Sequence, residues 1–170
     1  IGGFTAMKSL EIGIVSDSHG RLAALETMAA RNPAVDVWFH CGDYCEDAEA
    51  LALCTTAPVY TVLGNNDYYR GAEAPEELWA DVGGICVYMT HGHQWPAPRR
   101  PDKLAERALT KGAVLALFGH THRRFEGRTG GCTVINPGSI SLPRDGKRGT
   151  YGICTLRNGT IEAVRFYEME

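Results

Sequence analysis

Read from its amino end, the chain alternates short apolar runs with polar loops. Leu10 to Val15, with Ile12, Ile14 and Val15, predicts a buried strand, and Ser16-Asp17-Ser18-His19-Gly20 follows as a loop. Leu22, Leu25, Met28 and Ala29 then recur at helical spacing until Asn32-Pro33 breaks the pattern. Val35 to Cys41 predicts a second strand, closed by Gly42-Asp43, and an Ala/Leu-rich stretch from about Asp47 to Cys54 predicts a short helix. Val59 to Leu63 predicts a third strand, ending in Gly64-Asn65-Asn66-Asp67. Strand, loop and helix repeated in this order predict parallel strands in one sheet.

The second half changes character. Ile85 to Thr90 predicts a strand entered through Gly83-Gly84, and Trp95 to Pro101 reads as a rigid, helix-breaking loop. Pro101-Asp102 opens a helix with Leu104, Ala105, Ala108 and Leu109, stopped at Gly112. Ala113 to Phe118 and Cys132 to Ile135 predict strands. Tyr151 to Leu156 and Ile161 to Tyr167 flank Asn158-Gly159, a hairpin signal. The expectation is a layered α/β fold, with parallel βαβ units first and antiparallel pairing in the strand-rich second half. With Met7 as the native start, residues 1–6 read as a non-native leader and residues 7–170 as a single domain.

Composition narrows the class. At 170 residues, 44% hydrophobic and 22% charged, the chain can bury a core and does not read as disordered. A net charge of −3 argues against nucleic acid as a stable partner, and no apolar stretch reaches the length of a membrane span. The six cysteines form no C-x-x-C pair, several sit inside apolar runs, and no signal peptide is read. Free thiols in a reducing cytoplasm are the expectation.

The chemistry lies in the loops. Asp17-x-His19, Gly42-Asp43, Gly64-Asn65, His91-Gly-His93 and Gly119-His120-Thr-His122 each follow an apolar strand. Ligands of open α/β sheets bind at the carboxyl ends of strands. Each motif alone reads as an ordinary turn, but five turns presenting metal-competent side chains at one sheet edge point to a shared site. Imidazoles, carboxylates and an amide oxygen give mixed N/O ligation, which suits manganese, iron, zinc or nickel better than magnesium or calcium. Seven ligands are too many for one ion and fit two ions that share a carboxylate, placed about 4 Å apart.

The set D-x-H, G-D, G-N-x-D, H-G-H and G-H-T-H, in that order, resembles the calcineurin-like metallophosphoesterase superfamily. The H-G-H form and Asn136-Pro-Gly-Ser139 resemble its small YfcE-type phosphodiesterases, whose fold is shared by a eukaryotic retromer scaffold subunit. The resemblance implies a four-layer α/β/β/α sandwich with two mixed sheets. It implies a metal-dependent phosphoesterase, most simply a phosphodiesterase, acting on a small phosphate ester. Two divalent ions per chain are implied, manganese first, with nickel, zinc or iron as alternatives. Asp17, His19, Asp43 and His122 would hold one ion, and Asp43, Asn65, His91 and His120 the other. Asp43, Asn65 and His91 would carry catalysis, with a hydroxide between the ions attacking phosphorus in line.

Many larger relatives in this superfamily carry histidine where this chain has Asn66, and an asparagine side chain cannot deliver a proton. Asp67 is expected to orient its loop, and His93 to be an accessory group, a phosphate contact or a plain structural residue. Arg99, Arg100, Arg123, Arg124 and Arg144 are candidate phosphate contacts or a solvated basic surface, and Tyr68, Tyr69 and Trp95 candidate stacking surfaces, loop packing or part of a subunit interface. Two alternatives stay open: a protein-binding scaffold of the retromer-subunit kind, and a single-metal site. A homo-oligomer is compatible with either.

Overall fold

The computed structural model describes residues 9–68 and 71–170, so the expected leader and Tyr69 lie outside the described residues. The chain forms β1 (Ser9–Val15), α1 (Leu22–Arg31), β2 (Val37–His40), α2 (Asp47–Leu53) and β3 (Val59–Thr61). It continues through β4 (Glu77–Val82), β5 (Ile85–Thr90), α3 (Arg100–Leu109), β6 (Leu115–Leu117), β7 (Arg124–Thr129), β8 (Cys132–Pro137), β9 (Thr150–Arg157) and β10 (Thr160–Glu168).

Two five-stranded sheets result, in the orders β10-β9-β1-β2-β3 and β4-β5-β6-β8-β7. In the first, β1, β2 and β3 are parallel and β9 runs antiparallel to β1. In the second, β5, β6 and β8 are parallel, with β4 and β7 antiparallel at the edges.

Strand periodicity explains the layering. Ile12, Ile14 and Phe39 face Val87, Met89, Leu115, Leu117 and Ile135 across the space between the sheets. Alternate residues point outward: Val15 and Trp38 meet Leu25, Met28 and Leu51 from α1 and α2. On the other side, Tyr88, Ala116 and Val134 meet Leu104, Ala105 and Ala108 of α3. Three apolar interfaces separate four layers, α/β/β/α. Gly13 lies opposite Trp38 on the neighbouring strand, and a Cβ there would collide with the indole ring.

The structure departs from the sequence pattern in three places. β4 (ELWADV) and β7 (RFEGRT) fall where no strand is expected, because edge strands with charged, half-exposed faces lack a clean alternation. Gly83-Gly84 and Gly130-Gly131 are therefore hairpin turns, pairing Val82 with Ile85 and Thr129 with Cys132. The second half is also not antiparallel throughout, since β5-α3-β6 makes another parallel crossover. Arg100 and Arg124, expected in loops, begin α3 and β7.

Candidate metal centre

The loops that follow β1, β2, β3, β5 and β6 meet at one end of the two sheets. Backbone bonds stitch them together: Asp17 N–H donates to Gly42 O at 3.1 Å and Gly119 N–H to His91 O at 2.9 Å. Asp17, His19, Asp43, His120 and His122 all have positive φ, between 48° and 71°. Asp and His tolerate this region better than most residues, and such strain gathers at functional sites.

Nearly every expected ligand arrives at the same point. Asp17 Oδ1 lies 3.2 Å from His122 Nε2, 3.7 Å from His91 Nε2 and 4.0 Å from His19 Nε2. Asp43 divides its carboxylate, with Oδ1 3.4 Å from His91 Nε2 and Oδ2 3.6 Å from His19 Nε2. Asp17, His19, Asp43 and His122 each offer a donor atom, all within 4.8 Å of one another. Asn65 Oδ1 is 3.1 Å from His120 Nδ1, and the His120 ring lies 5.3 Å from that of His91.

The donor chemistry fits a cation. His91 Nδ1 is 2.7 Å from the Cys41 carbonyl, and His122 Nδ1 is 2.7 Å from that of Leu142. Each Nδ1 must therefore carry its proton, which leaves an Nε2 lone pair pointing at carboxylate oxygens. Asp17 Oδ1, His19 Nε2 and His91 Nε2 are buried with no hydrogen-bond partner. Acceptors turned toward acceptors in a buried space call for a positive centre between them.

The ionisation states agree. Burial pushes the Asp17 carboxyl up, but the His122 and His91 rings beside it and the Ser16 hydroxyl that donates to it outweigh burial and bring it to about 2. Burial, with the neighbouring His91, lowers His120 to about 4, and burial lowers His19 and His93 as well. These imidazoles are neutral at pH 7, the form that binds metal. His122 alone is raised, by the Asp17 carboxylate beside its Nε2.

The accessory residues separate. Asn66 clamps Asp43, its N–H donating to Oδ1 at 3.1 Å and its Nδ2 to Oδ2 at 2.7 Å. Fully buried Asp67 accepts backbone N–H groups from Gly64, Asp43 and Cys45 at 2.7 to 3.1 Å. His93 adjoins the rings of His91 and His120, its Nδ1 buried and without a partner, and Tyr68 packs edge-on against it. Arg99 and Arg123 are exposed. The arginine that reaches the His91 loop is Arg100, whose Nε donates to Gly92 O at 2.8 Å and Trp95 O at 2.9 Å. Trp95 packs against the cluster under α3. A second donor group, Cys45, Glu46 and Asp67, is less suited to a metal, because backbone amides occupy Asp67 and burial raises the Cys45 thiol to about 12.

The sequence pattern does not reveal the residues behind the candidate ligands. Ser16 Oγ donates to Asp17 Oδ2 at 2.6 Å, and the Ser139 and Ser141 hydroxyls hold the Asp17 carbonyl at 2.8 and 3.0 Å. Asn136 Nδ2 donates to Gly119 O at 2.9 Å. Asn136 and Ser139 stood in a noted motif without a role. His40, a histidine inside an apolar run three residues before Asp43, is the sequence signal for this buried support.

Fold and site define a calcineurin-like metallophosphoesterase. The chain matches the calcineurin-like phosphoesterase superfamily domain over residues 10–159 and belongs to that family, whose members bind divalent metals. It is 36% identical over 160 residues to the probable metallophosphoesterase YsnB of Bacillus subtilis, covering 94% of this chain and 91% of that protein. It is 34% identical over 78 residues to the phosphodiesterase YfcE of Escherichia coli, covering 46% of this chain and 38% of that one. A predicted phosphoesterase from Streptococcus pneumoniae superposes with a TM-score of 0.78 at 30% identity, covering 96% and 91% of the two chains. Vacuolar Protein Sorting 29 from Cryptosporidium parvum shares the fold, with a TM-score of 0.69 at 18% identity and coverage of 95% and 98%. The chain is thus a metal-dependent phosphoesterase by family. Among the described residues, no helix is long and apolar enough to cross a membrane.

Proposed function

We propose that this protein is a phosphodiesterase working with two divalent ions, manganese first among them. The observation that carries the reading is Asp43, whose two oxygens face His91 on one side and His19 on the other. Asp17, His19, Asp43 and His122 would hold one ion, and Asp43, Asn65, His91 and His120 the other. When bound, such a pair acidifies a water for in-line attack and neutralises charge on the phosphoryl oxygens.

The chain's own residues set the stage for this chemistry. Asn66 fixes Asp43 through two hydrogen bonds, and Asp67 holds the backbone of the same loops. Asn66 cannot donate a proton to a leaving alkoxide at neutral pH. Small phosphodiesters whose leaving group is already stable as an anion, such as aryl esters, are the proposed substrate class. The six free cysteines suit a reducing compartment, and we place the protein in the cytoplasm.

Turnover across aryl and alkyl diesters with manganese, alongside elemental analysis, tests the reading. A steep dependence on leaving-group pKa with two ions per chain is expected. A rate independent of the leaving group, or one ion at most, contradicts it. The Vps29 likeness supports a scaffold role at the level of fold only, and absence of turnover on every diester would favour that role.

A further inference from the structure

Ser18 stands between Asp17 and His19, and its hydroxyl belongs to a buried chain of hydrogen bonds outside the ligand set. Gly42 N–H donates to His40 Nδ1 at 3.3 Å, so the His40 ring proton sits on Nε2. That Nε2 donates to Ser18 Oγ at 2.8 Å, and the Ser18 hydroxyl donates onward to Asp47 Oδ2 at 2.7 Å. The same carboxylate oxygen accepts Gly20 N–H at 2.8 Å. His40 and Ser18 are fully buried and Asp47 is nearly so. The chain therefore grips the loop on both sides of His19, at residues 18 and 20.

The other ligands are held differently. Asp17 is fixed by Ser16, Ser139 and Ser141, and the His91 and His122 rings by backbone carbonyls. Among the described residues, the His19 ring has no such hydrogen bond; it packs against Tyr44 and His122 at ring-centroid distances of 5.2 Å. Its backbone has a positive φ of 48°. The direction of the His19 imidazole thus follows from the backbone that Ser18 and Gly20 anchor.

We propose that His40, Ser18 and Asp47 are positioning residues for His19, which set the affinity of the ion grouped with Asp17, His19, Asp43 and His122 and leave the other ion alone. The inference rests on the two-ion reading above. Asp47 and Ser18 connect α2 to the metal loop, so the helix takes part in holding the site without touching a ligand.

Manganese titration of the chelator-stripped, full-length protein by calorimetry tests this, with circular dichroism confirming the fold. Ser18→Ala and Asp47→Ala should each weaken one ion about 10- to 100-fold, the usual effect of removing a group behind a metal ligand, while the other ion binds as in wild type. His19→Ala identifies which ion is affected. Asp47→Asn should restore affinity, because an amide oxygen can accept both hydrogen bonds. Unchanged affinities in Ser18→Ala, or equal weakening of both ions, would overturn the proposal. If Asp47→Ala fails to fold, Ser18→Ala decides, since it removes a single oxygen. A wild-type protein that binds no ion overturns the metal reading and this proposal together, whereas two-ion binding unchanged by Ser18→Ala overturns this proposal alone.

Discussion

Asp43 concentrates the consequences of the site in one carboxylate. Its oxygens meet His91 and His19 and are clamped by Asn66, so its loss removes the charge that two cations would share. Asp43→Asn and His91→Ala should each lower turnover more than ~100-fold, beyond the usual cost of changing a group behind a ligand. Asp43→Asn should leave the melting temperature of the metal-free protein nearly unchanged, whereas His91→Ala, which empties a buried space and removes the donor to the Cys41 carbonyl, should lower it by a few degrees, as scanning calorimetry will show. Near-wild-type turnover at saturating metal would displace either residue from the site. Asn66 takes on a second role here. Because its Nδ2 supports Asp43, Asn66→Ala should weaken metal binding, read by titration, and should slow aryl as well as alkyl esters.

At the scale of elements, the β1–β2 pair is a tightly closed joint of the fold. Gly13 lies beneath the Trp38 ring, which leaves no room for a methyl group between the two strands. A strand glycine of this kind marks a close approach of another group. Gly13→Ala should cost about 1 to 3 kcal/mol, the range for overpacking a filled core, and urea unfolding monitored by tryptophan fluorescence measures it. A wild-type midpoint would mean that Trp38 repacks freely. The interior strands were legible from their apolar runs, whereas β4 and β7 were not. An edge strand buries one side only and presents charges such as Glu77, Asp81, Arg124 and Glu126, so its pattern resembles that of a loop.

For the whole molecule, the buried histidines couple stability to pH. His19, His40, His93 and His120 are all lowered by burial, so the folded protein binds protons at these rings less readily than the unfolded chain. Their contribution is fully present above pH 6.5 and is lost as pH falls below it, for His120 down to about 4. His122 works in the opposite sense, its raised value favouring the folded state below pH 6.5. The large shift of His120 sets the balance, so in chelator the melting temperature should fall between pH 7.5 and pH 5. Bound manganese should raise it at pH 7.5 by mass action, through about 2.7 kcal/mol of added stability at a hundredfold excess over Kd, and acid should erase that gain. A chelated protein equally stable at both pH values would contradict this balance.

The sequence by itself determined the parallel βαβ order of the first half, the apolar strands of the core and the residues now gathered at the site. Those features are written in local patterns: period-two burial, helical spacing, and polar motifs placed just after strands. Tertiary structure decided the rest. The return of β9 to pair with β1, which completes the first sheet, depends on contacts between residues far apart in the chain. The division of Asp43 between two histidine groups depends on distances that spacing does not encode. The placing of His40, Ser18 and Asp47 in one buried chain depends on a strand end, a loop and a helix start meeting, and no single segment carries that information. Arg100 rather than Arg99 reaches the His91 loop, because which face of α3 turns inward is settled only when the helix packs on its sheet.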